Sequence, residues 1–439
     1  MIAHMPSLLR RWLGELSLLR SSAIVLAGTA SARLLGFLFL VAAARLLEPG
    51  DYGTLAYALA ILQSASILLT NAPGGLARFL ARSMDDRERQ EYCYTNWAAT
   101  TGALLLGSVV LLLPFAPLTG LGILLIPALI INLANIAIFE NYQETQRGLG
   151  RFTVMGVYYT LANLLQLVAI LIAGAIGLRS APLFLALYGF SAMAALGVMR
   201  LVAPTPLGLR LATVNVRQMV RIARYIAPIV LQGICYAFWW GSDLILIDRL
   251  LTPLAAGNYA AGKTVTQVLI LGPTAIALAA GPSLSRLAES ALRRRLLQLV
   301  GLGALAIIPP AALLAIIQQP LMHLLYGNKY PHDLDAFNAL VIGISLYGFF
   351  VVVASVWGAL GRPFVGAIGT GCGMVVTVTL GFVLIPRLGL LGGGIAFAAG
   401  AGAQLLFITV FTAWGLYSGG TTKAKLGHLS DDAFLAPGG

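Results

Sequence analysis

Three charged residues stand out inside the long apolar segments of this chain, and they are its clearest candidates for chemistry. Arg33 lies within the first segment, about 18 Å from either predicted end at a rise of about 1.5 Å per residue. Asp243 lies in the predicted outer half of the seventh segment, and Lys263 follows about one helical turn into the eighth. An ionisable side chain at membrane depth is energetically costly, so each of the three marks a candidate binding or coupling site.

Each of these groups has a functional and a structural interpretation. Arg33 is expected to face a central, water-filled cavity as a cation, or else to form an ion pair between helices. Asp243 is expected to hold Arg33 or Lys263 in place, or to take up a proton. Lys263 is expected to bind an anion beside Arg33, or to extend its amine to the membrane interface.

Charged residues at the ends of the apolar segments form a second group. Arg45 and Arg249 occupy the same position in a repeated turn, where they either anchor the turn or bind a ligand. Asp248 precedes Arg249 and is a candidate for coupling or for an ion pair. Glu140 and Glu144 close the fourth segment on the predicted inner side, where we expect them to face solvent.

Residues typical of enzymes and metal sites do not cluster in the sequence. The three cysteines, Cys93, Cys235 and Cys372, are far apart and form no disulfide framework. There is no nucleophile elbow, phosphate-binding glycine loop or metal-ligand spacing. The sequence therefore predicts a protein that is not an enzyme and that holds no cofactor, and coupling to H⁺ or Na⁺ is a hypothesis that Asp243 motivates. The four histidines lie outside the apolar segments, at His4, His323, His332 and His428.

Composition places most of the chain in a lipid environment. Of the 439 residues, 59% are hydrophobic and only 10% are charged, whereas soluble domains carry about 25% charged residues. The net charge of +12 does not indicate nucleic-acid binding, because the basic residues lie in short connections and no soluble domain is present to carry a binding face.

The apolar segments predict an all-α polytopic membrane protein with twelve transmembrane helices. About 20 apolar residues cross a bilayer, and uniformly apolar runs exclude the alternating pattern of a β-barrel. The predicted spans are residues 22–46, 52–70, 94–115, 121–143, 152–176, 181–202, 226–247, 259–280, 296–317, 336–357, 364–384 and 391–414.

Basic residues predict how the chain is oriented. Most of the 28 lysines and arginines fall on one side of the twelve spans, and the side rich in them faces the cytoplasm. This places both termini in the cytoplasm.

A repeat divides the chain into two similar halves. The turn Arg45–Gly53 recurs as Arg249–Ala260, and later echoes keep a similar offset of about 210 residues. Six spans per half is an even number, so the halves enter the membrane in the same direction, as a parallel-topology repeat. The predicted organisation is an amphipathic N-terminal segment, a six-helix lobe, a cytoplasmic linker, a second six-helix lobe and a disordered cytoplasmic tail, at residues 1–21, 22–202, 203–218, 219–416 and 417–439.

Several motifs and their order resemble one family of transporters. They are Arg45–Gly53, its echo up to Ala260, Leu149–Arg151, Tyr326–Tyr330 and Leu360–Arg362. With the twelve-span layout they resemble the Wzx-type polysaccharide flippases of the multidrug/oligosaccharidyl-lipid/polysaccharide (MOP) exporter superfamily. Lipid II flippases of the same superfamily usually have fourteen spans, so the layout favours the polysaccharide branch.

The resemblance implies a specific activity. Such proteins move undecaprenyl-pyrophosphate-linked oligosaccharides across the inner membrane by alternating access, for O-antigen, exopolysaccharide or capsule synthesis. A cationic cavity is implied, with Arg33 and Lys263 as the cargo-binding cations, and a glycan polymerase and glycosyltransferases are the implied partners. The alternatives are a cation-coupled multidrug exporter of the same superfamily and a membrane glycan polymerase or transferase. A cationic Arg33 argues against the first, and the absence of catalytic acids or a large outer loop argues against the second.

Overall fold

A computed structural model describes most of the chain as a bundle of helices. The predicted amphipathic segment 1–21 lies outside the described residues, as does the tail 417–439 beyond Tyr417. The described residues are 28, 31–73, 75–83, 86–119, 125–149, 151, 153–284, 289–330, 333–359, 362 and 364–417.

The first half contains six long helices and one short one. None of the described residues lies in a β-strand, as expected where each helix satisfies its own backbone in lipid. The helices are α1 (31–46), α2 (Pro49–Asn71), α3 (Leu76–Arg82), α4 (Arg87–Thr119), α5 (Leu125–Gly148), α6 (Thr153–Ala175) and α7 (Ala181–Val202).

The described part of the second half contains seven helices and follows a linker that contains one 3₁₀ turn. Two of these helices, α9 and α10, correspond to a single predicted span, because a 3₁₀ stretch at Gln267–Ile270 joins them. The helices are α8 (Val216–Leu250), α9 (Pro253–Thr266), α10 (Leu271–Leu284), α11 (Glu289–Tyr326), α12 (Leu334–Ala359), α13 (Phe364–Leu388) and α14 (Leu390–Tyr417).

The helical membrane fold predicted from the sequence is confirmed. Within the described ranges, nine helices are long and apolar enough to cross a membrane. The other three predicted spans correspond to α1, to α4 and to the split pair α9–α10. The described helices therefore follow the order of the twelve predicted spans.

Three features differ from the sequence prediction, and two of them have a local cause in the backbone. Helix α3 is too short to span a membrane and was not predicted. Helix α8 begins at Val216 rather than near residue 226, because Asn215 caps it by accepting a hydrogen bond from the Arg217 N–H at 2.9 Å. The 3₁₀ stretch precedes Pro273, which lacks the N–H that would bond to the carbonyl of Leu269.

The two ends of the bundle are built from different connections. We call the end that holds residues 47–48, 251–252, 327–330 and 333 the turn end, and the end that holds the linker 203–215 the linker end. Helix α2 of the first half packs against both α8 and α9 of the second half. The halves therefore meet along α2, with the turn end at one extremity of this contact.

Two glycines allow the halves to meet closely at the turn end. A β-carbon on Gly53 would overlap the carbonyl oxygen of Pro253, and one on Gly257 would overlap that of Pro49. The contact is reciprocal between equivalent positions of the repeated turn, as an axis of twofold symmetry between two similar halves requires. Only glycine tolerates backbones this close.

The linker is tied to the first half at the linker end. Arg210 forms an ion pair with Glu91 of α4 at 2.7 Å, and the N–H of Asn215 donates to Asn96 at 2.8 Å. The hydrogen bond from Arg87, together with the N–H of Gly208 and the charge of Arg210, holds the pKa of Glu91 below its usual value. These contacts fix the start of α8 relative to α4.

Candidate functional site

Arg33 is a cation for which the described residues provide no ionic partner. It lies on α1, its side chain is exposed, and among the described residues it has no hydrogen bond or ion pair. A different face of α1 packs into the first half, where Phe39, about 120° around the helix from Arg33, contacts Tyr188 with ring centroids 5.4 Å apart. Gly36 is three residues after Arg33, so it is a neighbour of Arg33 on the helix surface, and it lies against Asn163. Arg33 therefore lies at the edge of the face of α1 that packs into the first half.

Two tyrosines of the second half lie near Arg33. The guanidinium interacts electrostatically with Tyr236 of α8 and Tyr347 of α12, and the two tyrosines hydrogen-bond to each other. Counting back from the turn end at about 1.5 Å per residue, all three residues lie about 20 Å deep on their separate helices. They form one layer near the middle of the bundle, with the cation from one half and the hydroxyls from the other.

Aromatic rings extend this layer into the second half. Tyr236 stacks against Trp240 with ring centroids 6.0 Å apart, and the ring centroids of Tyr347 and Trp239 are 4.4 Å apart. Trp239 is fully buried and stacks on Phe397 at 4.9 Å, so it packs in the core, whereas Trp240 is only partly buried. Aromatic faces with polar tips suit a surface that contacts sugar rings.

Asp243 and Lys263 form a buried ion pair inside the second half. The Lys263 amine lies 2.7 Å from both carboxylate oxygens of Asp243, and Tyr259 donates a hydrogen bond to the same carboxylate at 2.7 Å. Asp243 is 0% exposed and Lys263 is 5% exposed. The Lys263 amine also donates to the carbonyl of Trp240 and lies 4.6 Å from the ring centroid of Phe397.

This pair positions the aromatic layer. Lys263 joins α9 to α8 through Trp240, and Asp243 neutralises its charge. A buried pair is weakly stabilising as a whole, but the loss of one partner leaves an uncompensated charge. The structure brings Asp243 together with Lys263 and not with Arg33, which lies in a separate layer.

Arg45 joins the two halves at the turn end. Its guanidinium donates hydrogen bonds to the carbonyls of Leu324 and Leu325 at the end of α11. In return, Lys329 donates to the carbonyls of Arg45 and Leu47. We call this contact between the α1–α2 turn and residues 324–330 the latch.

Two tyrosines complete the latch. Tyr330 donates to the carbonyl of Ala44 at 2.8 Å, and its ring lies 5.8 Å from that of Tyr52. Tyr326 donates to the carbonyl of Ala261 on α9 at 3.3 Å. The sequence resemblance had drawn attention to Tyr326–Tyr330 as a motif, but its contact with the first half could not be seen in the sequence.

Arg249 and Asp248 lie at the end of α8, near the boundary with α2. The Arg249 guanidinium donates to the hydroxyl of Tyr57 at 3.0 and 3.1 Å and lies 5.5 Å from its ring centroid. Asp248 is half-buried and interacts electrostatically with Arg249. Like Arg45, Arg249 therefore bonds to a group of the other half.

Glu140 differs from the expectation that it faces solvent. Its side chain is buried between helices, whereas Glu144, one turn later, is paired with Arg147 at 2.9 Å. Among the described residues, only the Tyr159 hydroxyl bonds to Glu140, at 3.4 Å. The sequence places Tyr159 in the fifth predicted span, but its proximity to Glu140 depends on how α5 and α6 pack.

The arrangement can bind an anion. The Arg33 guanidinium, which has no ionic partner among the described residues, lies beside tyrosine hydroxyls and aromatic rings, and guanidinium groups bind phosphate oxygens in bidentate geometry. In the part of the chain that the structure describes, no group of His, Cys, Asp and Glu side chains could hold a metal ion.

Comparisons with known proteins identify the family and the fold. A family model described as polysaccharide biosynthesis protein matches residues 18–288, which is more than half of the 439 residues. No curated protein matches the chain by sequence.

Three solved transporters share the architecture. The lipid II flippase MurJ, in an inward closed conformation, has a TM-score of 0.72 and 11% identity, and the match covers 89% of this chain and 87% of MurJ. An inward-facing multidrug resistance MATE family transporter of the MOP superfamily has a TM-score of 0.66 and 13% identity, with 88% and 94% covered. A MOP superfamily transporter from Pyrococcus furiosus, described by the reverse polarity of its binding pocket, has a TM-score of 0.64 and 13% identity, with 91% and 94% covered.

At such low identities these three structures show the fold alone, whereas the family model shows that the chain is a member of the family. Both agree with the resemblance that the repeated turn and its companion motifs predicted, which is thereby confirmed. The chain is a multi-pass membrane protein with the fold of the MOP superfamily, and it belongs to the polysaccharide biosynthesis protein family.

Proposed function

We propose that this protein is a flippase that moves undecaprenyl-pyrophosphate-linked oligosaccharide across the bacterial inner membrane by alternating access. The supporting observation is the guanidinium of Arg33, which lies about 20 Å deep, has no ionic partner among the described residues and interacts with two tyrosines of the other half. A cation held at membrane depth without a protein anion needs a ligand or water to offset its cost. A pyrophosphate supplies that anion.

The second half supplies a complementary surface for the sugar. Tyr236 and Tyr347 present linked hydroxyls beside the guanidinium, and partly buried Trp240 extends the aromatic surface. The pyrophosphate would bind to Arg33 while the first sugar contacts the tyrosines. The polyprenyl tail would stay in lipid, outside the space between the halves.

The other predicted cations take different parts in this proposal. Lys263 is neutralised by Asp243, so it positions Trp240 and lends little net charge to the cargo. Arg45 and Arg249 hold the halves together at the turn end, so they would meet cargo only after these contacts open. Both termini face the cytoplasm in this orientation, and a glycan polymerase and glycosyltransferases are the proposed partners.

The second candidate is a multidrug exporter with the same fold. A site for cationic drugs requires an acidic residue that faces the cavity without a basic partner. In the described layer between the halves, the charge is that of Arg33, and Asp243 is paired with Lys263. Electrostatic complementarity therefore favours an anionic cargo.

Reconstitution separates the candidates. Purified protein in liposomes would receive a fluorescent lipid-linked sugar in one leaflet, and an impermeant quencher would report its appearance in the other. The flippase proposal expects translocation without any change in glycan length. Export of a cationic dye without lipid translocation would favour the drug exporter, and elongation of the sugar chain would favour a polymerase or transferase.

A further inference from the structure

The first half contains a buried carboxyl group that the proposed cargo site does not use. Glu140 of α5 is 9% exposed, and it lies about 12 Å from the linker end of its helix. No described cation pairs with it. A buried carboxylate without a partner is strongly disfavoured, so the group must gain a proton, a cation or a rearranged environment.

The groups around Glu140 are phenols and amides. Tyr159 of α6 donates to it at 3.4 Å, and Tyr158 of α6 interacts with it electrostatically. Tyr158 also accepts a hydrogen bond from Asn135 at 3.2 Å and interacts with Tyr188 of α7. Hydroxyl groups can donate to an ionised carboxylate or accept from a protonated one, so this cluster can accommodate both forms.

Three buried amide oxygens on the same helix also lack partners. Asn135 Oδ1, Asn141 Oδ1 and Gln143 Oε1 have no hydrogen bond within the described structure, although all three side chains are at least nine-tenths buried. Gln143 lies three residues after Glu140 and therefore on an adjacent face of α5. An unsatisfied buried acceptor needs a donor, and a protonated Glu140 carboxyl is such a donor.

The described charged side chains of α5 and α7 nearest to Glu140 have other contacts. Arg147 of α5 pairs with Glu144. Arg200 of α7 interacts with Tyr94 of α4 and Tyr142 of α5. Glu144 interacts with Glu140 by like-charge repulsion, which further favours a neutral Glu140.

We propose that Glu140, with Tyr158 and Tyr159, is a proton-binding site in the first half that couples proton movement to the alternating access proposed above. The proton binds to a carboxylate oxygen of Glu140 and leaves as H⁺, with no other bond made or broken. This coupling step rests on the proposed function, whereas the protonation of Glu140 does not.

Helix α6 connects this site to Arg33. One turn of α6 carries Tyr159 toward Glu140, and the following residue, Thr160, donates a hydrogen bond to the carbonyl of Gly28 at 3.1 Å, just before α1. Asn163 lies against Gly36 of α1. Loss of the proton places a charge between α5 and α6, which favours their separation and hydration. A shift of α6 would carry α1, and with it Arg33.

Infrared spectroscopy of the purified, substrate-free protein tests proton binding alone. The wild type is expected to show a protonated carboxyl band at neutral pH that Glu140→Gln removes. The matched control, Glu144→Gln, changes a carboxylate one turn away and should leave the band in place. Loss of ionised carboxylate absorption in Glu140→Gln, with no change in the protonated band, would overturn the proposal.

Liposomes with a pH gradient test the coupling. In the wild type, each unit of pH gradient can change the ratio of lipid-linked sugar between the leaflets by up to about tenfold per coupled proton. Glu140→Gln should still equilibrate the sugar but without accumulation, while Glu144→Gln should behave as the wild type. A wild type that equilibrates the sugar without responding to the gradient would refute coupling, and one that moves no sugar would refute the proposed function and leave the infrared result standing.

Discussion

At the scale of single residues, the environment of a charge matters more than its presence. Arg33 and Lys263 both lie at membrane depth, but Lys263 is neutralised by a carboxylate 2.7 Å away and Arg33 has no described partner. Sequence position alone could not separate them, since both are single cations within apolar segments. The packing of α8 against α9 makes this difference, because it brings Asp243 to Lys263.

Substitution of Arg33 is the first test at this scale. Arg33→Ala should abolish translocation of lipid-linked sugar while the protein still folds, because the exposed side chain makes no described internal bond. Arg33→Lys should restore part of the activity, since lysine keeps the charge and loses the bidentate geometry. Vesicle translocation and size-exclusion profiles measure the two properties. Full activity in Arg33→Ala would remove this residue from the site.

The buried ion pair allows a second test. Asp243→Asn or Lys263→Met alone should destabilise the protein by about 3–5 kcal/mol, because each leaves one buried charge without its partner. The double variant should recover much of this loss, since neither charge remains. Thermal unfolding in detergent measures all three. Equal destabilisation by the single and double variants would show that the pair is not energetically coupled.

At the scale of elements, the latch is the contact that the proposed alternating access must break. Lys329→Ala removes the hydrogen bonds to the carbonyls of Arg45 and Leu47 and should shift the protein toward a form open at the turn end. Spin labels at Glu48 and Asn328, both exposed, would report a longer distance in this variant by pulsed electron resonance. Arg387→Ala, which removes an exposed cation of α13, is the control and should leave the distance unchanged.

Helices were largely predictable from the sequence, whereas contacts between them were not. Long apolar segments located every crossing, because a membrane imposes both length and composition. The break before Pro273 and the early start of α8 were not predicted, because both depend on local backbone hydrogen bonds rather than on hydropathy. The proximity of Glu140 to Tyr159 and of Lys329 to Leu47 depends on tertiary packing between residues that single-sequence periodicity does not relate.

At the scale of the whole molecule, the two halves can close only if their backbones meet at the repeated turn. Gly53→Ala should disturb this closure, because the added carbon overlaps the carbonyl oxygen of Pro253, and Gly257→Ala should act in the same way on Pro49. Overpacking of this kind costs about 1–3 kcal/mol. This cost destabilises the form in which the turn end is closed, so the turn end should open in both variants.

A matched control lies in the same turn. Gly50 has open space where its β-carbon would be, so Gly50→Ala tests the loss of a glycine without the overlap. The same pair of spin labels should report separation in Gly53→Ala and Gly257→Ala but not in Gly50→Ala. If alanine at Gly53 left both the label distance and translocation unchanged, the two halves would not need this close approach, and the pivot of alternating access would have to lie elsewhere along α2.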